Sequence, residues 1–499
     1  MCGIFGILAE NSVASVIYDG LATLQHRGQD AAGILTCAAQ KVHQKQGRGL
    51  VREIFQAQDL QNLSGNLGLG HVRYPTAGSF AENETQPFFV NSPFGLGLVH
   101  NGNLTNTKKL RETLIKREAR HLNTNSDSEI LLNVFARALR KQYANSLNSR
   151  GQQKFSAQLL FAAVTQTYNL LEGGFAVVVL IVGHGLLAFR DPLGLRPLAI
   201  GERQGATQKE FAVASEDVAL SVLGFTQITD VQPGEAIWLP LRGQAKRKIC
   251  VQAPKAACLF EYVYLARPDA KLDAVSVYRS RLRSGIALAQ QIRQAKVQPD
   301  VVVPVPDTAR AAAISLAEEL GVRYREGLIK NRYISRTFIM PTQSKRQKSI
   351  RHKLIPLPLE LKDRKVLLVD DSIVRGNTSR QIVELVRQAG AKQVFFAAAA
   401  PPLKFPCVYG VDMPSKQEFI AHGLSVTEIQ KQLQVDGLFY LRLQELKQAC
   451  EFKDARNRAF CTACFEGRYP TKVSAKYLQE IQELRAAARQ SDECQMPLF

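Results

Sequence analysis

The stretch from Lys365 to Ser379 constrains the fold of this chain more than any other. Val366 to Val369 form an unbroken apolar run, which is typical of a strand buried on both faces of a parallel sheet. An acidic pair and a short polar turn follow. From Ser379 the apolar residues recur at helical spacing until Gly390 ends the helix. The pattern therefore predicts a buried strand, two acids, a turn and a helix within an α/β domain.

The chemistry of this stretch predicts a ligand site. The turn contains Arg375, Gly376, Asn377, Thr378 and Ser379. Its free N–H groups and the dipole of the following helix favour a phosphate group. Asp370 and Asp371 would repel a phosphate, so we expect them to hold either sugar hydroxyls or Mg²⁺. The alternative is a polar loop after a core strand, which the adjacent acids make the weaker interpretation.

A second strand end of the same kind lies earlier in the chain. Val301 to Val303 form another apolar run, and the polar loop Pro304–Arg310 follows it. Strands that alternate with helices indicate a mainly parallel sheet. Since open α/β sheets bind ligands at the carboxyl ends of their strands, both loops are expected at one ligand site.

Length and composition narrow the class of protein. A chain of 499 residues with 45% hydrophobic content is typical of a globular protein of two or three domains. No apolar run is long enough to cross a bilayer, and the N-terminus lacks the pattern of a signal peptide. We therefore expect a cytoplasmic protein. The net charge of +20 permits nucleic acid or a highly phosphorylated small substrate as a partner, and charge alone does not choose between them.

A cysteine directly after the initiator methionine is the main feature of the first half. Removal of Met1 would make Cys2 the N-terminus, and its own α-amino group could then accept the thiol proton. Taken alone, a cysteine at position 2 is weak evidence of a nucleophile. Its context strengthens the hypothesis, because three polar motifs follow within about one domain: 25–30 (Gln-His-Arg-Gly-Gln-Asp), 71–76 (His-Val-Arg-Tyr-Pro-Thr) and 99–104 (Val-His-Asn-Gly-Asn-Leu).

These motifs, with 123–129, 173–175 and 190–198, resemble those of the class II glutamine amidotransferases, whose nucleophile is an N-terminal cysteine. The resemblance spans about Cys2 to Trp238. It implies an αββα sandwich in which Cys2 attacks the glutamine amide while Asn101 and Gly102 form the oxyanion hole. It also implies three residues that bind or orient glutamine: Arg27 near the nucleophile, Arg73 at the carboxylate and Asp127 at the ammonium group.

The second half resembles the type I phosphoribosyltransferases. Val366–Ser379 is similar to their phosphoribosylpyrophosphate (PRPP) motif, and Pro304–Arg310 is similar to their pyrophosphate loop. The resemblance implies that Asp370 and Asp371 hold the ribose hydroxyls and, with Thr308, one Mg²⁺ per subunit. The turn residues Arg375, Gly376, Asn377, Thr378 and Ser379 would wrap the 5′-phosphate. Segment 330–339, with Lys330, Arg332 and Arg336, resembles a loop that closes over PRPP; a solvated basic face is the alternative.

The two resemblances together imply a glutamine-dependent amidotransferase that acts on PRPP, in the first committed step of purine synthesis. Glutamine and PRPP would be the substrates, with purine nucleotides as feedback inhibitors. Nucleic acid and membrane would not be partners, and the family suggests a homotetramer. We expect the domains to span 2–240 and 258–435, followed by a helical and cluster-binding segment at 436–499.

Four of the nine cysteines form a separate set: Cys258, Cys407, Cys461 and Cys464. A C-x-x-C pair alone could be redox-active, metal-binding or accidental. Some relatives carry a 4Fe-4S cluster on four cysteines in similar contexts, so the resemblance implies a cluster here. Four thiolates could also hold zinc.

Two other functions compete with this interpretation. Another class II amidotransferase, with sugar-phosphate or glutamate chemistry, would have no use for the acidic pair at 370–371. A PRPP-sensing regulator that binds nucleic acid would suit the basic charge, but it would not need a glutaminase site.

Overall fold

The computed structural model describes residues 2–74, 84–146, 155–331, 354–451 and 459–483. Arg332 and Arg336 of the predicted loop at 330–339 therefore lie outside the described residues. Within the described residues, no helix is both long enough and apolar enough to cross a membrane.

The first half folds as a sandwich of two antiparallel sheets with helices on both outer faces. Its strands are β1 (Gly3–Leu8), β2 (Ala31–Ala38), β3 (Lys41–Arg48), β4 (Leu67–Arg73), β5 (Phe88–Val90), β6 (Leu96–Leu104), β7 (Gly173–Ile181), β8 (Gly185–Arg190), β9 (Ala199–Gln204), β10 (Lys209–Ala214), β11 (Thr226–Asp230), β12 (Glu235–Pro240) and β13 (Lys246–Ile249). Its helices are α1 (Ala14–Thr23), α2 (Val51–Ile54), α3 (Ala57–Asn62), α4 (Thr107–Glu118), α5 (Asp127–Ala144), α6 (Ala157–Tyr168) and α7 (Asp217–Val222), with a 3-10 turn at Gln25–Arg27.

Hydrophobic layers explain why the two sheets stack. The sheets have the strand orders β11-β9-β10-β1-β4-β2-β3 and β13-β12-β8-β7-β6-β5. Ile4 and Leu69 of the first sheet pack against Val99 and Val178 of the second. Helix α1 covers the outer face of the first sheet and helices α5 and α6 cover that of the second. The predicted αββα sandwich is confirmed, and β13 extends its sheet beyond the expected boundary at residue 240.

The second half is built on a five-stranded, wholly parallel sheet of order β18-β17-β21-β22-β23. The strands of the second half as a whole are β14 (Ala256–Cys258), β15 (Lys271–Leu272), β16 (Val275–Ser276), β17 (Val301–Pro304), β18 (Arg323–Tyr324), β19 (Leu328–Lys330), β20 (Leu354–Pro356), β21 (Lys365–Asp370), β22 (Gln393–Ala398), β23 (Gly437–Tyr440) and β24 (Ala459–Cys461). Its helices are α8 (Val277–Gln294), α9 (Arg310–Leu320), α10 (Pro358–Leu361), α11 (Asn377–Gln388), α12 (Val426–Leu433), α13 (Leu443–Ala449) and α14 (Ala463–Glu466), with a π-helix at Glu261–Leu265 and a 3-10 turn at Lys416–Glu418.

The parallel sheet is covered on both faces, which explains the apolar runs in its strands. Leu367 and Val369 of β21 point into the core shared with α8 and α9. Val366 and Leu368 point into the opposite core, shared with α11 and α12. The chain after β24 is helical again at residues 475–483, within the C-terminal helix predicted for about 471–489.

Candidate active sites

The predicted nucleophile, Cys2, lies directly before the central strand β1. Cys2 is buried, with 8% of its surface exposed. Its backbone N–H donates a hydrogen bond to Oδ1 of Asn101 at 3.2 Å, and its thiol lies 3.8 Å from the carbonyl oxygen of Tyr74. The structure therefore brings together Cys2 and Asn101, which are 99 positions apart in the sequence.

Strand β6 presents the candidate oxyanion hole beside Cys2. Asn101 is fully buried, and its side-chain Nδ2 has no hydrogen-bond partner among the described residues. Gly102 has φ +149°, and a Cβ at this position would lie 2.0 Å from the carbonyl oxygen of Gly174 on β7. A side chain at 102 is thus excluded by sterics. An unpartnered buried amide donor is what an oxyanion hole needs before substrate arrives.

Arg73 and Asp127, the predicted contacts for the two charged ends of glutamine, flank this site. Nη2 of Arg73 lies 2.7 Å from Glu84, and its Nη1 lies 3.3 Å from Asp30. Asp127 begins helix α5 and accepts a hydrogen bond from the backbone N–H of Leu104 at 3.0 Å. Glu84 was not predicted from the sequence, since no motif marks it.

Arg27 lies on the 3-10 turn Gln25–Arg27, and its side chain pairs with two carboxylates. Its Nε pairs with Glu216 at 2.5 Å and its Nη2 with Glu261 at 2.9 Å, with all three side chains buried. Burial alone would raise the pKa of Glu216, but Arg27 and His26 outweigh it and lower that pKa to about 2. The contacts fit the expected orienting role near Cys2, and Nη1 of Arg27 remains buried without a partner among the described residues.

The second site lies at the carboxyl end of β21. Asp370 and Asp371 are half-buried, and the N–H of Asp371 donates to Oδ1 of Asp370 at 2.8 Å. Burial raises the pKa of Asp371 to about 6 despite hydrogen bonds from Ser372 and Thr308. Burial and the neighbouring Asp371 raise the pKa of Asp370. Two adjacent carboxyl groups that resist ionisation are suited to a cation or to sugar hydroxyls.

The predicted phosphate turn leads into helix α11, which begins at Asn377 rather than at Ser379. Gly376 precedes the helix with φ +77°, and a Cβ there would lie 2.3 Å from Cδ1 of Ile420. Asn377 and Thr378 are exposed in the first turn, where N–H groups lack intrahelical partners, whereas Ser379 is buried. The early start of the helix places these predicted phosphate contacts at its positive end.

The loop after β17 faces the same site. Thr308 hydrogen-bonds Asp371, so the loop and the acidic pair are in contact. Nζ of Lys330 lies 2.6 Å from Asp307 of this loop, and Arg375 lies 3.1 Å from Glu418 on the other side. The described parts of the predicted PRPP site are therefore adjacent. Arg281, which the sequence did not suggest, is a further buried cation beside Asp371.

The four cysteines of the separate set converge on one another. Parallel pairing of β14 with β24 places Cys258 opposite Cys461, and the N–H groups of Lys404 and Phe405 donate to the carbonyl of Cys464. All four belong to one buried core, and no disulfide links any described cysteine. Burial raises the pKa of Cys258 to about 11.

No three histidine, cysteine or carboxylate side chains, in the parts of the chain described, are grouped so that they could hold one metal ion. Arg196 lies within the cysteine set. Burial alone would lower its pKa, but the neighbouring cysteines and Glu261 raise it. A buried cation that faces several thiols offsets the negative charge that thiolate ligands would bring.

The two halves touch directly at the oxyanion strand. A Cβ on Gly410 would lie 2.7 Å from the carbonyl oxygen of Gly102. Nδ2 of Asn103 donates to the carbonyl of Val408 at 2.9 Å and lies 3.3 Å from the hydroxyl of Tyr477. The loop that carries Cys407 therefore packs against the strand that carries Asn101.

The first half combines Cys2 with a candidate oxyanion hole on an αββα sandwich. The second half combines an acidic pair with a candidate phosphate turn on a parallel sheet. Together they define a glutamine-dependent amidotransferase with a phosphoribosyltransferase domain. The family model described as "Glutamine amidotransferase domain" matches residues 77–222, and "Phosphoribosyl transferase domain" matches residues 276–432. The chain belongs to the amidophosphoribosyltransferase family.

Curated relatives and solved structures support this membership over nearly the whole chain. The chain is 48% identical to the amidophosphoribosyltransferases of Pseudomonas aeruginosa and Escherichia coli, over 97% of this chain and 96% of each relative. It is 40% identical to that of Methanocaldococcus jannaschii, over 95% of this chain and 98% of the relative. The glutamine PRPP amidotransferase from B. subtilis, solved in complex with ADP and GMP, matches with a TM-score of 0.83 and 36% identity over 95% of this chain and 98% of that one.

Proposed function

We propose that the chain catalyses the first committed step of purine synthesis: glutamine, PRPP and water give 5-phosphoribosylamine, glutamate and pyrophosphate. The observation that carries this proposal is that one fold contains both candidate active sites, one at Cys2 and one at the end of β21. The N–H of Cys2 donates to Oδ1 of Asn101, whose amide nitrogen has no partner among the described residues, and the acidic pair of β21 lies beside the loop that contains Thr308.

The first half-reaction would take place at Cys2. Its thiolate attacks the amide carbon of glutamine, and Asn101 with the N–H of Gly102 stabilises the oxyanion. The α-amino group of Cys2, which has taken the thiol proton, returns it to the departing nitrogen, so the amide leaves as ammonia. Water then hydrolyses the glutamyl thioester to glutamate and the free thiol. Arg73 would exchange its present carboxylate contacts for the carboxylate of glutamine, while Asp127 would bind the ammonium group.

The second half-reaction would take place at the end of β21. Ammonia displaces pyrophosphate from C1 of PRPP, while the turn from Arg375 to Ser379 binds the 5′-phosphate. Lys330 lies beside the pyrophosphate loop, where it can offset the charge of the leaving group. Passage of ammonia from one site to the other without release into water is supported by the direct packing of Gly410 on Gly102.

One Mg²⁺ per subunit would be held by Asp370, Asp371 and Thr308. Proteins commonly bind Mg²⁺ through one or two carboxylates and the phosphates of a substrate, so this donor set fits the ion. When bound, the ion would neutralise charge on the departing pyrophosphate.

We also propose that Cys258, Cys407, Cys461 and Cys464 hold a structural 4Fe-4S cluster. The buried cysteines and the adjacent Arg196 fit a group with anionic ligands. The resemblance to relatives that carry a 4Fe-4S cluster on four cysteines in similar contexts favours iron–sulfur over zinc. Brown, oxygen-sensitive protein with iron and acid-labile sulfide is expected. Colourless protein that contains zinc would overturn this proposal.

The relatives support a proposal about regulation. The B. subtilis relative was solved with ADP and GMP, and a second solved match, 36% identical with a TM-score of 0.84, is described as the allosteric regulatory enzyme of purine biosynthesis. We propose that purine nucleotides inhibit this chain as well, and that it works in the cytoplasm as a homotetramer.

An assay with PRPP, Mg²⁺ and glutamine tests the proposed function. Glutamate and pyrophosphate should appear together, and glutamate release should depend on PRPP. Glutamate release at the same rate with and without PRPP would contradict the proposal, as would DNA binding without turnover.

A further inference from the structure

The turn that contains Arg27 forms one wall of the Cys2 site. A Cβ on Gly3, the residue after the nucleophile, would lie 3.5 Å from Cβ of Arg27. A Cβ on Gly28 would lie 2.6 Å from the backbone of Arg73. The turn is thus in close contact with both the nucleophile and the predicted glutamine carboxylate contact, so a displacement of Arg27 would be transmitted to them.

Two carboxylates hold the Arg27 guanidinium, and they come from different parts of the chain. Glu216 belongs to the sandwich, where it precedes α7. Glu261 belongs to the segment after β14, and it lies 234 positions from Arg27 in the sequence. The side chains of Arg27 and Glu261 are 0% and 2% exposed, so water does not weaken the pair.

Glu261 is itself held by a second arginine of the sandwich, and it lies at the start of a short helical element of the transferase half. Its Oε1 lies 3.3 Å from Nη1 of Arg196, and it begins the π-helix Glu261–Leu265. Arg281 of α8 donates to the carbonyls of Tyr262 and Ala266, at the two ends of this element. Tyr262 and Arg281 line a small cavity with Thr308 and Asp371, so the element reaches from the Arg27 pair to the predicted PRPP site.

We propose that Glu261 is a positioning residue for the glutaminase half-reaction. It holds Arg27 against the Cys2 site from outside the sandwich, so the glutamine site is completed by a carboxylate from the transferase half. Loss of this carboxylate leaves Arg27 with one anionic partner and frees the turn at 25–30 to shift. In the described part of the chain, the ion-pair partners of Glu261 are Arg27 and Arg196 rather than any group of the two reacting centres, so its effect is on geometry.

The test compares Glu261→Gln with a matched control, Asp273→Asn. Asp273 is also a buried carboxylate beyond the sandwich that pairs with a sandwich arginine, Arg190, at 2.8 Å. Each variant of the full-length holoenzyme is assayed with glutamine and, separately, with ammonium as the nitrogen source. Glu261→Asp, which keeps the charge on a shorter side chain, is the conservative variant for rescue.

Glu261→Gln should lower glutamine-dependent kcat by about 10-fold or more, since small misplacements of catalytic groups are costly. Its ammonia-dependent rate should stay within about 2-fold of wild type, and labelling of Cys2 by a diazo-ketone analogue of glutamine should slow in parallel. Asp273→Asn should keep both rates in the same ratio as wild type, and Glu261→Asp should recover part of the glutamine-dependent rate.

Two results would overturn the inference: an equal loss of both activities in Glu261→Gln, or a ratio of the two activities equal to that of Asp273→Asn. The inference rests on the proposed glutaminase activity at Cys2. If wild-type protein releases no glutamate from glutamine, the proposed function fails. If wild-type protein releases glutamate and Glu261→Gln behaves like Asp273→Asn, only the proposed role of Glu261 fails.

Discussion

At the scale of single residues, both candidate sites contain polar groups that the surrounding protein does not fully stabilise. Asn101 has a buried amide nitrogen without a partner in the described structure, and Asp371 has a raised pKa. Such groups cost stability in the free protein. They are explained if a substrate supplies what is lacking: an oxyanion at Asn101, and Mg²⁺ or hydroxyl groups at Asp371.

Cys2→Ala should separate the two half-reactions. The variant lacks the nucleophile, so glutamine-dependent turnover should fall by at least about 10³-fold. Added ammonia should still support phosphoribosylamine formation, because the site on β21 is unchanged. Steady-state assays with each nitrogen source measure both effects. Loss of both activities in a folded variant would contradict two separable sites.

Asp371→Asn should stabilise the ligand-free protein while it abolishes PRPP use. The pKa of Asp371 is raised to about 6 in the fold, so its ionisation opposes folding at neutral pH. Removing the charge should add about 1–2 kcal/mol to the free energy of unfolding at pH 8. The gain should shrink as pH falls through about 6, and it should vanish near the usual carboxyl pKa of about 4.

Urea unfolding at pH 8 and pH 5 measures this difference, with the exposed Asp412→Asn as a control. The account predicts a gain for Asp371→Asn that is larger at pH 8 than at pH 5, and that exceeds any change in the control. Equal gains at both pH values, or destabilisation at pH 8, would show that the carboxylate is not strained in the free protein.

At the scale of elements, the sequence predicts individual strands, helices and the motifs beside them. It does not predict contacts between elements far apart in the chain. Strand β21, its acidic pair and the following helix follow from an apolar run and helical spacing, and the structure confirms them. The first turn of α11 begins earlier than predicted because Gly376, with φ +77°, serves as its N-cap. Apolar spacing cannot detect such a cap, since Asn377 and Thr378 are polar.

The features that the sequence did not predict are mostly contacts between elements that are far apart in the chain. The pairing of Arg27 with Glu261 and the packing of Gly410 on Gly102 join residues far apart in the chain. Glu84, Glu216 and Arg281 lie outside any predicted ligand motif. Their roles become visible only when the fold places them beside Arg73, Arg27 and Asp371.

Gly410→Ala should impair the glutamine site from the other half of the molecule. Gly410 has φ +101°, and its new Cβ would lie 2.7 Å from the carbonyl oxygen of Gly102. The oxyanion strand must therefore shift, and glutamine-dependent kcat should fall by about 10-fold. Ammonia-dependent activity should fall much less. Parallel kinetic assays with the two nitrogen sources measure the split.

Gly224→Ala is the matched control, because Gly224 also has positive φ, +78°, but a Cβ there would meet nothing within 4 Å. It should lose about 1 kcal/mol of stability through backbone strain and retain normal kinetics. If Gly224→Ala and Gly410→Ala had the same kinetic effect, strain rather than contact with the oxyanion strand would be responsible.

At the scale of the whole molecule, the two sites are adjacent parts of one structure. The loop after Cys407 packs on the oxyanion strand, and Tyr477 of the C-terminal helix contacts Asn103. Glu261 and Arg281 connect the Arg27 pair with the cavity at Asp371. This adjacency is what the proposed use at Asp370 and Asp371 of ammonia made at Cys2 requires.

The fate of the glutamine amide nitrogen tests this account most directly. Wild-type protein is given PRPP, Mg²⁺ and amide-¹⁵N glutamine in the presence of excess unlabelled ammonium at neutral pH, and the isotopic mass of the phosphoribosylamine product is measured. The account predicts that the product retains ¹⁵N, with one glutamate formed for each pyrophosphate. Product diluted in proportion to the unlabelled ammonium, or no PRPP-dependent product, would contradict it.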